Sequence, residues 1–303
     1  MMAMMWAVVV TMRPRQWIKN LLVFAGIVYA HQLTNVASLL TVTAAFALFC
    51  ALSGVIYITN DILDLEQDRH HPKKKLRPIA SGQLPIRVAG IAALVIGVAG
   101  LALSFAISRR FGYCALLYLV LMSAYSLRLK QIVILDILVV AIGFVLRAYA
   151  GTQAIALETI TPWFLSCILF LALFIAICKR RHELLLLNER AIHHRAVLRD
   201  YSPAFLDQMI AASTAAALLS YALWAVAETR PEFRGMIITV PFVVYGIFRY
   251  LFLVYHRSEG GAPEMMFLTD RSLLINIVLW IAVVMILIYR HRLIEWLPIA
   301  GSA

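Results

Sequence analysis

The sequence predicts an all-α polytopic membrane protein of about nine transmembrane helices, and three observations carry that prediction. Of 303 residues, 63% are hydrophobic; mean hydropathy is +0.86; and apolar stretches recur at roughly 17–33, 38–58, 85–107, 111–127, 132–151, 161–178, 205–227, 235–255 and 272–289. Each is about long enough to cross a hydrocarbon core of ~30 Å at ~1.5 Å per residue, the fourth only barely. Residues 1–303 therefore read as one integral membrane domain with no separate soluble domain. Its longer polar connections fall at about 61–84, 179–204 and 256–271, with a short one at 126–131.

In chain order, Met1 to Met12 is apolar but too short to span. It lacks a charged leading region and a small-residue cleavage site, so no signal peptide is expected. With the N-terminus inside, 19 of the 27 Lys and Arg residues fall on inner segments and 6 on outer ones, Arg147 and Arg249 lying within spans. This bias puts all three long connections on the cytoplasmic side of a plasma (inner) membrane. The net charge of +11 is then one basic face, suited to anionic lipid heads or phosphorylated substrates. Nucleic acid is not an expected partner, because no basic soluble domain with interleaved aromatics is present. Cys50, Cys114, Cys167 and Cys178 sit in apolar spans without CxxC or His/Cys pairing and read as small core residues.

The second span ends in Asn60-Asp61-Ile62-Leu63-Asp64-Leu65-Glu66-Gln67-Asp68. Asn60, Asp64 and Asp68 fall at i, i+4 and i+8, with Asp61 three residues before Asp64. If the helix continues through them, their oxygens form one solvent-facing stripe. Carboxylates are costly beside hydrocarbon, so such a stripe marks a site more often than a merely solvated helix end. Hard oxygens at this spacing suit Mg²⁺ carrying a pyrophosphate, since Mg²⁺ is commonly held by one or two carboxylates plus substrate phosphates. The next loop, His70-His71-Pro72-Lys73-Lys74-Lys75-Leu76-Arg77-Pro78, supplies cations for the same polyanion. A basic cytoplasmic loop is also an ordinary topology signal, which by itself would account for Lys73 to Lys75.

Between the spans at 111–127 and 132–151 runs Tyr125-Ser126-Leu127-Arg128-Leu129-Lys130, followed by Asp136 just inside the membrane. An intramembrane acid normally faces a partner or a polar cavity. After the span at 161–178 comes Lys179-Arg180-Arg181-His182-Glu183-Leu184, in which Lys179, His182 and Glu183 share a helical face. Cations at a membrane edge touching lipid phosphates are the plain alternative there.

Asn-Asp-x-x-Asp-x-x-x-Asp on a chain of this type resembles the UbiA superfamily of intramembrane prenyltransferases. The resemblance extends to Arg13-Pro14, Trp17-Ile18-Lys19-Asn20, Lys75-x-Arg77-Pro78 and Tyr125 to Lys130. It implies helices around a central cavity opening to the cytoplasm. The usual member carries a second aspartate-rich motif after the sixth span, where this chain has the basic Lys179-Arg180-Arg181. That departure, with Arg-Pro-x-Gln-Trp-x-Lys-Asn, looks like the decaprenyl-phosphate phosphoribosyltransferase branch. Its members move 5-phosphoribose from phosphoribosyl pyrophosphate to a polyprenyl phosphate and release pyrophosphate. The resemblance also implies a possible homo-oligomer, a trimer.

On that footing Asn60, Asp61, Asp64 and Asp68 are expected to hold Mg²⁺ on the donor pyrophosphate, with Lys73, Lys75 and Arg77 on the same group or the ribose 5-phosphate. Lys19, Asn20, Arg128, Lys130, Asp136, Lys179, Arg180 and Arg181 are candidates for the remaining substrate contacts. Tyr125 and Glu183 are candidates for ribose hydroxyls or for orienting the cations. Asp64, Asp68, Lys130 and Tyr125 stand nearest the expected chemistry. Two other functions compete. A conventional prenyltransferase alkylating an aromatic or lipid acceptor with a prenyl diphosphate calls for the missing second acidic motif. A lipid transporter or flippase calls for internal repeats and midplane polar residues, for which only Arg147 and Arg249 qualify, each able to snorkel to an interface.

Overall fold

The computed structural model describes residues 2–72, 74–157, 160–187, 196–228, 233–256 and 263–296. Lys73 and the stretch from Asn188 to Arg195 lie outside the described residues. Among the described residues every regular element is a helix, and the chain divides into two compact units: residues 1–130 with 142–158, and residues 131–141 with 159–303.

The first unit contains α1 (Met2–Thr11), a 3₁₀ segment (Pro14–Phe24), α2 (Ala25–Tyr29), α3 (Val36–Leu63), α4 (Leu65–His70), α5 (Ile86–Ile107), α6 (Arg109–Leu127) and most of α7 (Leu135–Ala154). Local chemistry sets the starts of the long helices. The Asn35 side chain accepts from Ser38 N at 3.2 Å to cap α3, and Ser108 accepts from Phe111 N at 3.0 Å to cap α6. Small residues then allow close approach. An added Cβ on Gly151 of α7 would stand 1.9 Å from the carbonyl oxygen of Val23, and one on Gly26 would stand 2.5 Å from Thr152 N. The 3₁₀ segment and α2 thus lie backbone to backbone against α7, as only glycine permits.

Among the described residues, eight helices are long and apolar enough to cross a membrane. The predicted stretch at 17–33 is not one of them, because it is mainly 3₁₀ and ends in a five-residue α-helix. It still runs antiparallel along α3. Arg13 meets Asp61, Asn20 meets Ser53, and Phe24 meets Phe46, before Asn35 opens α3 at its far end. A 3₁₀ helix rises ~2 Å per residue and an α-helix ~1.5 Å, so the 3₁₀ segment and α2 together cover about 30 Å. The stretch thus has the length of a traverse without being one of the eight helices long and apolar enough to cross; Pro14 opens it, and Arg15, Gln16, Lys19 and Asn20 interrupt its apolar run.

The second unit contains α8 (Pro162–Leu187), a 3₁₀ turn (Ala196–Asp200), α9 (Pro203–Ala227), a 3₁₀ turn (Met236–Thr239), α10 (Val240–His256), α11 (Pro263–Thr269) and α12 (Arg271–Trp296). Its core is built from Phe174, Ile177, Cys178, Leu198, Leu206, Ile210, Tyr250 and Leu253, with Ile137 from the first turn of α7. Arg249, within α10, has a partner in the loop before α12. It forms a two-pronged pair with Asp270 (3.1 and 2.7 Å), and Asp270 also caps α12 by accepting from Leu273 N at 2.8 Å.

Candidate functional site

The acidic motif does not form one continuous helical stripe. Helix α3 ends at Leu63, Asp64 has φ −91° and ψ 9°, and α4 restarts at Leu65. The break at Asp64 separates the acids into two sets. Asp61 and Asp68 turn inward, 2% and 1% exposed, while Asp64 stays half-buried at the edge. The expected solvent-facing stripe is therefore corrected to a buried acidic pair with a third acid outside it.

Burial of two carboxylates is tolerated because cations meet them. Arg77 Nη1 donates to Asp61 Oδ1 at 3.1 Å and to Asp68 Oδ2 at 2.5 Å. Arg13 donates to the same Asp61 oxygen, and its guanidinium lies 4.8 Å from the centre of the Tyr57 ring. Lys130 Nζ donates to Asp64 Oδ1 at 3.1 Å. Among the described residues two oxygens here remain unsatisfied: Asn60 Oδ1 and Asp68 Oδ1 are buried and accept no hydrogen bond, the near cation Lys74 Nζ standing 3.9 Å from the latter. A buried acceptor without a donor is costly, and a divalent cation satisfies it directly. Among the described residues no three carboxylate, imidazole or thiol groups converge into a ready-made cage. The donor set thus fits Mg²⁺ that draws its remaining ligands from a substrate and from water, as Mg²⁺ sites commonly do.

Arg13 is a site residue that Arg13-Pro14 in the sequence did not separate from an ordinary topology cation. It adopts φ +55°, an uncommon conformation for a residue with a side chain, at the turn between α1 and the 3₁₀ segment. Of the other candidates, Tyr125 is half-buried in the last turn of α6, Arg128 is exposed at its C-cap, Lys75 is exposed beside Arg77, and Lys19 is half-buried. Asn20 is not available for substrate. Its side chain is 1% exposed and bonds Arg147, Ser53 and Cys50.

The second unit gathers a different cluster. Asp136 is fully buried and accepts from Arg180 Nε at 3.0 Å and from the Tyr201 hydroxyl at 2.7 Å. The same hydroxyl accepts from the backbone N–H of Ile134 at 2.7 Å, at a residue held at φ +70°. Burial and the hydrogen bond to Asp136 push the Tyr201 hydroxyl well above the usual phenol range. Arg180 is only 6% exposed and also bonds Glu183. Asp136 and Arg180, expected to contact substrate, are instead partners of one another, for the reason that an intramembrane acid requires a cation. Arg181 bonds Asp207 at 2.5 Å and stacks over the Tyr255 ring at 4.1 Å, while Lys179 is half-buried.

The Asp136→Ala variant is expected to destabilise the protein by about 3–5 kcal/mol, the range for breaking a buried pair from one side. Tyr201→Phe is expected to cost about 1–3 kcal/mol by stripping acceptor and donor partners from Ile134 and Asp136. Thermal unfolding in detergent measures both. Unaltered unfolding in the two variants would mean that the cluster is not a structural clamp.

Comparison with known proteins agrees with this architecture. The model of the UbiA prenyltransferase family matches residues 20–277. The decaprenyl-phosphate phosphoribosyltransferase of Corynebacterium glutamicum is 33% identical over 288 residues, covering 92% of this chain and 85% of that protein. The protein of the same name from Mycolicibacterium smegmatis is 35% identical over 295 residues, covering 91% of each. The fold matches a UbiA homolog from Archaeoglobus fulgidus bound to GPP and Mg²⁺, with a TM-score of 0.72 at 19% identity over 93% of this chain and 99% of that one. Helices of membrane-crossing length, the family model and the relatives lead to one conclusion: the chain is an integral membrane protein and belongs to the UbiA prenyltransferase family of transferases.

Proposed function

We propose that the protein transfers 5-phosphoribose from phosphoribosyl pyrophosphate to a polyprenyl phosphate and releases pyrophosphate, at the cytoplasmic face of the plasma membrane. The observation that carries this reading is identity of 33–35% over more than nine-tenths of the chain to proteins named decaprenyl-phosphate phosphoribosyltransferase. The acidic cluster supports it chemically. Asn60 and Asp68 offer unsatisfied oxygens, Asp61 and Asp64 stand beside them, and these four residues would hold Mg²⁺. Bound there, Mg²⁺ would neutralise pyrophosphate oxygens and make that group a better leaving group.

The chain's own cations do the rest. Arg13, Arg77 and Lys130 already point at the carboxylates, and Lys74 stands close by. A pyrophosphate entering this cluster offers them oxygens of higher charge, so charge-assisted bonds to the substrate form at little cost in side-chain ordering. As the ribose C1–O bond to pyrophosphate breaks, positive charge grows on the sugar ring and negative charge on the departing group, which these cations stabilise. An oxygen of the lipid phosphate forms the new bond to C1. A phosphate monoester carries about −1.5 to −2 charge near pH 7, so it needs positioning rather than a base. Lys179 and Arg181 are kept as candidates for a phosphate contact, with Arg180 removed from that role by its burial.

The test incubates purified protein with Mg²⁺, phosphoribosyl pyrophosphate labelled in the ribose, and decaprenyl phosphate. Label is expected in the lipid product, with one pyrophosphate released per transfer. A protein that ignores this donor but alkylates an aromatic acceptor with a prenyl diphosphate would replace the proposed reaction with conventional prenyl transfer.

A further inference from the structure

Arg147 is a guanidinium buried within a membrane-crossing helix, and among the described residues no carboxylate is one of its hydrogen-bond partners. It is 6% exposed. Its Nε donates to Asn20 Oδ1 at 2.7 Å, one terminal nitrogen to Gly143 O at 2.8 Å, and the other to the Tyr118 hydroxyl at 2.8 Å. The faces of Tyr118 and Phe144 lie 4.8 and 5.2 Å from its charge centre. Three neutral acceptors and two aromatic faces thus share a charge that is expensive to bury. A Leu or Met would fill such a place more cheaply if only packing were required.

The network explains what the charge is for. Asn20 extends the network, donating from Nδ2 to Ser53 Oγ at 3.1 Å and to Cys50 Sγ at 3.3 Å, both on α3. One residue of the 3₁₀ segment is therefore bonded to α7 and α3 together. One helical turn beyond Arg147, Gly151 meets Val23 backbone to backbone. The segment is held at two points, and seven residues before Asn20 it delivers Arg13 to Asp61. A slip of one residue in a 3₁₀ helix moves the chain ~2 Å and turns it ~120°. Either displacement takes the Arg13 guanidinium off Asp61.

We propose that Arg147 is a positioning residue for the acidic cluster: through Asn20 it fixes the register of the Pro14–Phe24 segment on α3, and so sets where Arg13 stands against Asp61. It touches no substrate. The inference rests on the phosphoribosyl transfer proposed above only for its kinetic readout.

The experiment compares Arg147→Gln, Arg147→Lys and Asn20→Ala with Arg13→Ala and with the Arg147→Gln/Arg13→Ala double variant. Arg147→Gln is expected to lower kcat/KM for phosphoribosyl pyrophosphate on the order of 10²-fold, as misplacement by about an ångström does. The Mg²⁺ concentration for half-maximal activity should rise, with the KM for the lipid phosphate unchanged. Arg147→Lys, which keeps the charge but not the planar fork, should fall between. The double variant should be no worse than Arg13→Ala, because both remove the same contact. Multiplicative losses, or equal losses toward both substrates, would overturn the proposal. If Arg147→Gln fails to fold, Asn20→Ala cuts the same link and carries the same expectations. Calorimetric titration with Mg²⁺ and pyrophosphate reads the cluster without any acceptor. A wild type that binds pyrophosphate, weakened by Arg147→Gln, but transfers no ribose removes the proposed reaction and leaves Arg147 in its role; wild-type binding that Arg147→Gln leaves unchanged removes the role.

Discussion

Asp68→Asn is expected to lower turnover by a factor on the order of 10²–10³, the loss that follows removal of one preorganised charge-stabilising group. The substitution keeps size and shape, and Arg77 retains Asp61 as a partner, so folding should suffer far less than activity. Among the described residues no donor satisfies the buried Oδ1 of Asp68, so the proposed metal contact bears most directly on this side chain. Asp64→Asn is expected to act in the same direction through the Lys130 contact. Chelation of Mg²⁺ should reproduce the loss. Turnover measured with purified protein, beside thermal unfolding, separates the two effects. A double variant that still turns over in the presence of chelator would end the metal assignment.

The second large effect is structural. Gly151→Val should prevent stable folding, and even Gly151→Ala should cost more than the ~1–3 kcal/mol usual for overpacking. An added Cβ would stand 1.9 Å from Val23 O, and its neighbours there are backbone, which no rotamer change relieves. Gly246→Ala is the control: its Cβ would meet only the side-chain nitrogen of Asn276, at 3.1 Å. Detergent-solubilised yield and unfolding temperature measure the difference. Wild-type stability in Gly151→Ala would show that the 3₁₀ segment is free to move off α7.

Much of the site was legible because its signals are local. Asn60, Asp61, Asp64 and Asp68 stand within nine residues of one another, and Arg77 and Lys130 lie in short loops at helix ends. Their chemistry is readable as hard oxygens and cations at the edge of hydrocarbon. Their division was not readable. Periodicity assumes an unbroken helix, and the break at Asp64 sends Asp61 and Asp68 inward and Asp64 outward. Lys19-Asn20 likewise reads as one polar pair, yet Asn20 is buried against Arg147.

The sequence alone determined the helical membrane architecture, the acidic and basic clusters and the family, since each depends on hydrophobic run length or on residues close in the chain. Tertiary structure decided which polar group each cation faces. Arg13 with Asp61, Arg180 with Asp136 and Arg147 with Asn20 are separated by 48, 44 and 127 residues. A cation's partner in such cases is fixed by which helices lie adjacent and in what register. That is a property of the packed fold, where burying an unpaired charge is too costly for the choice to be left open.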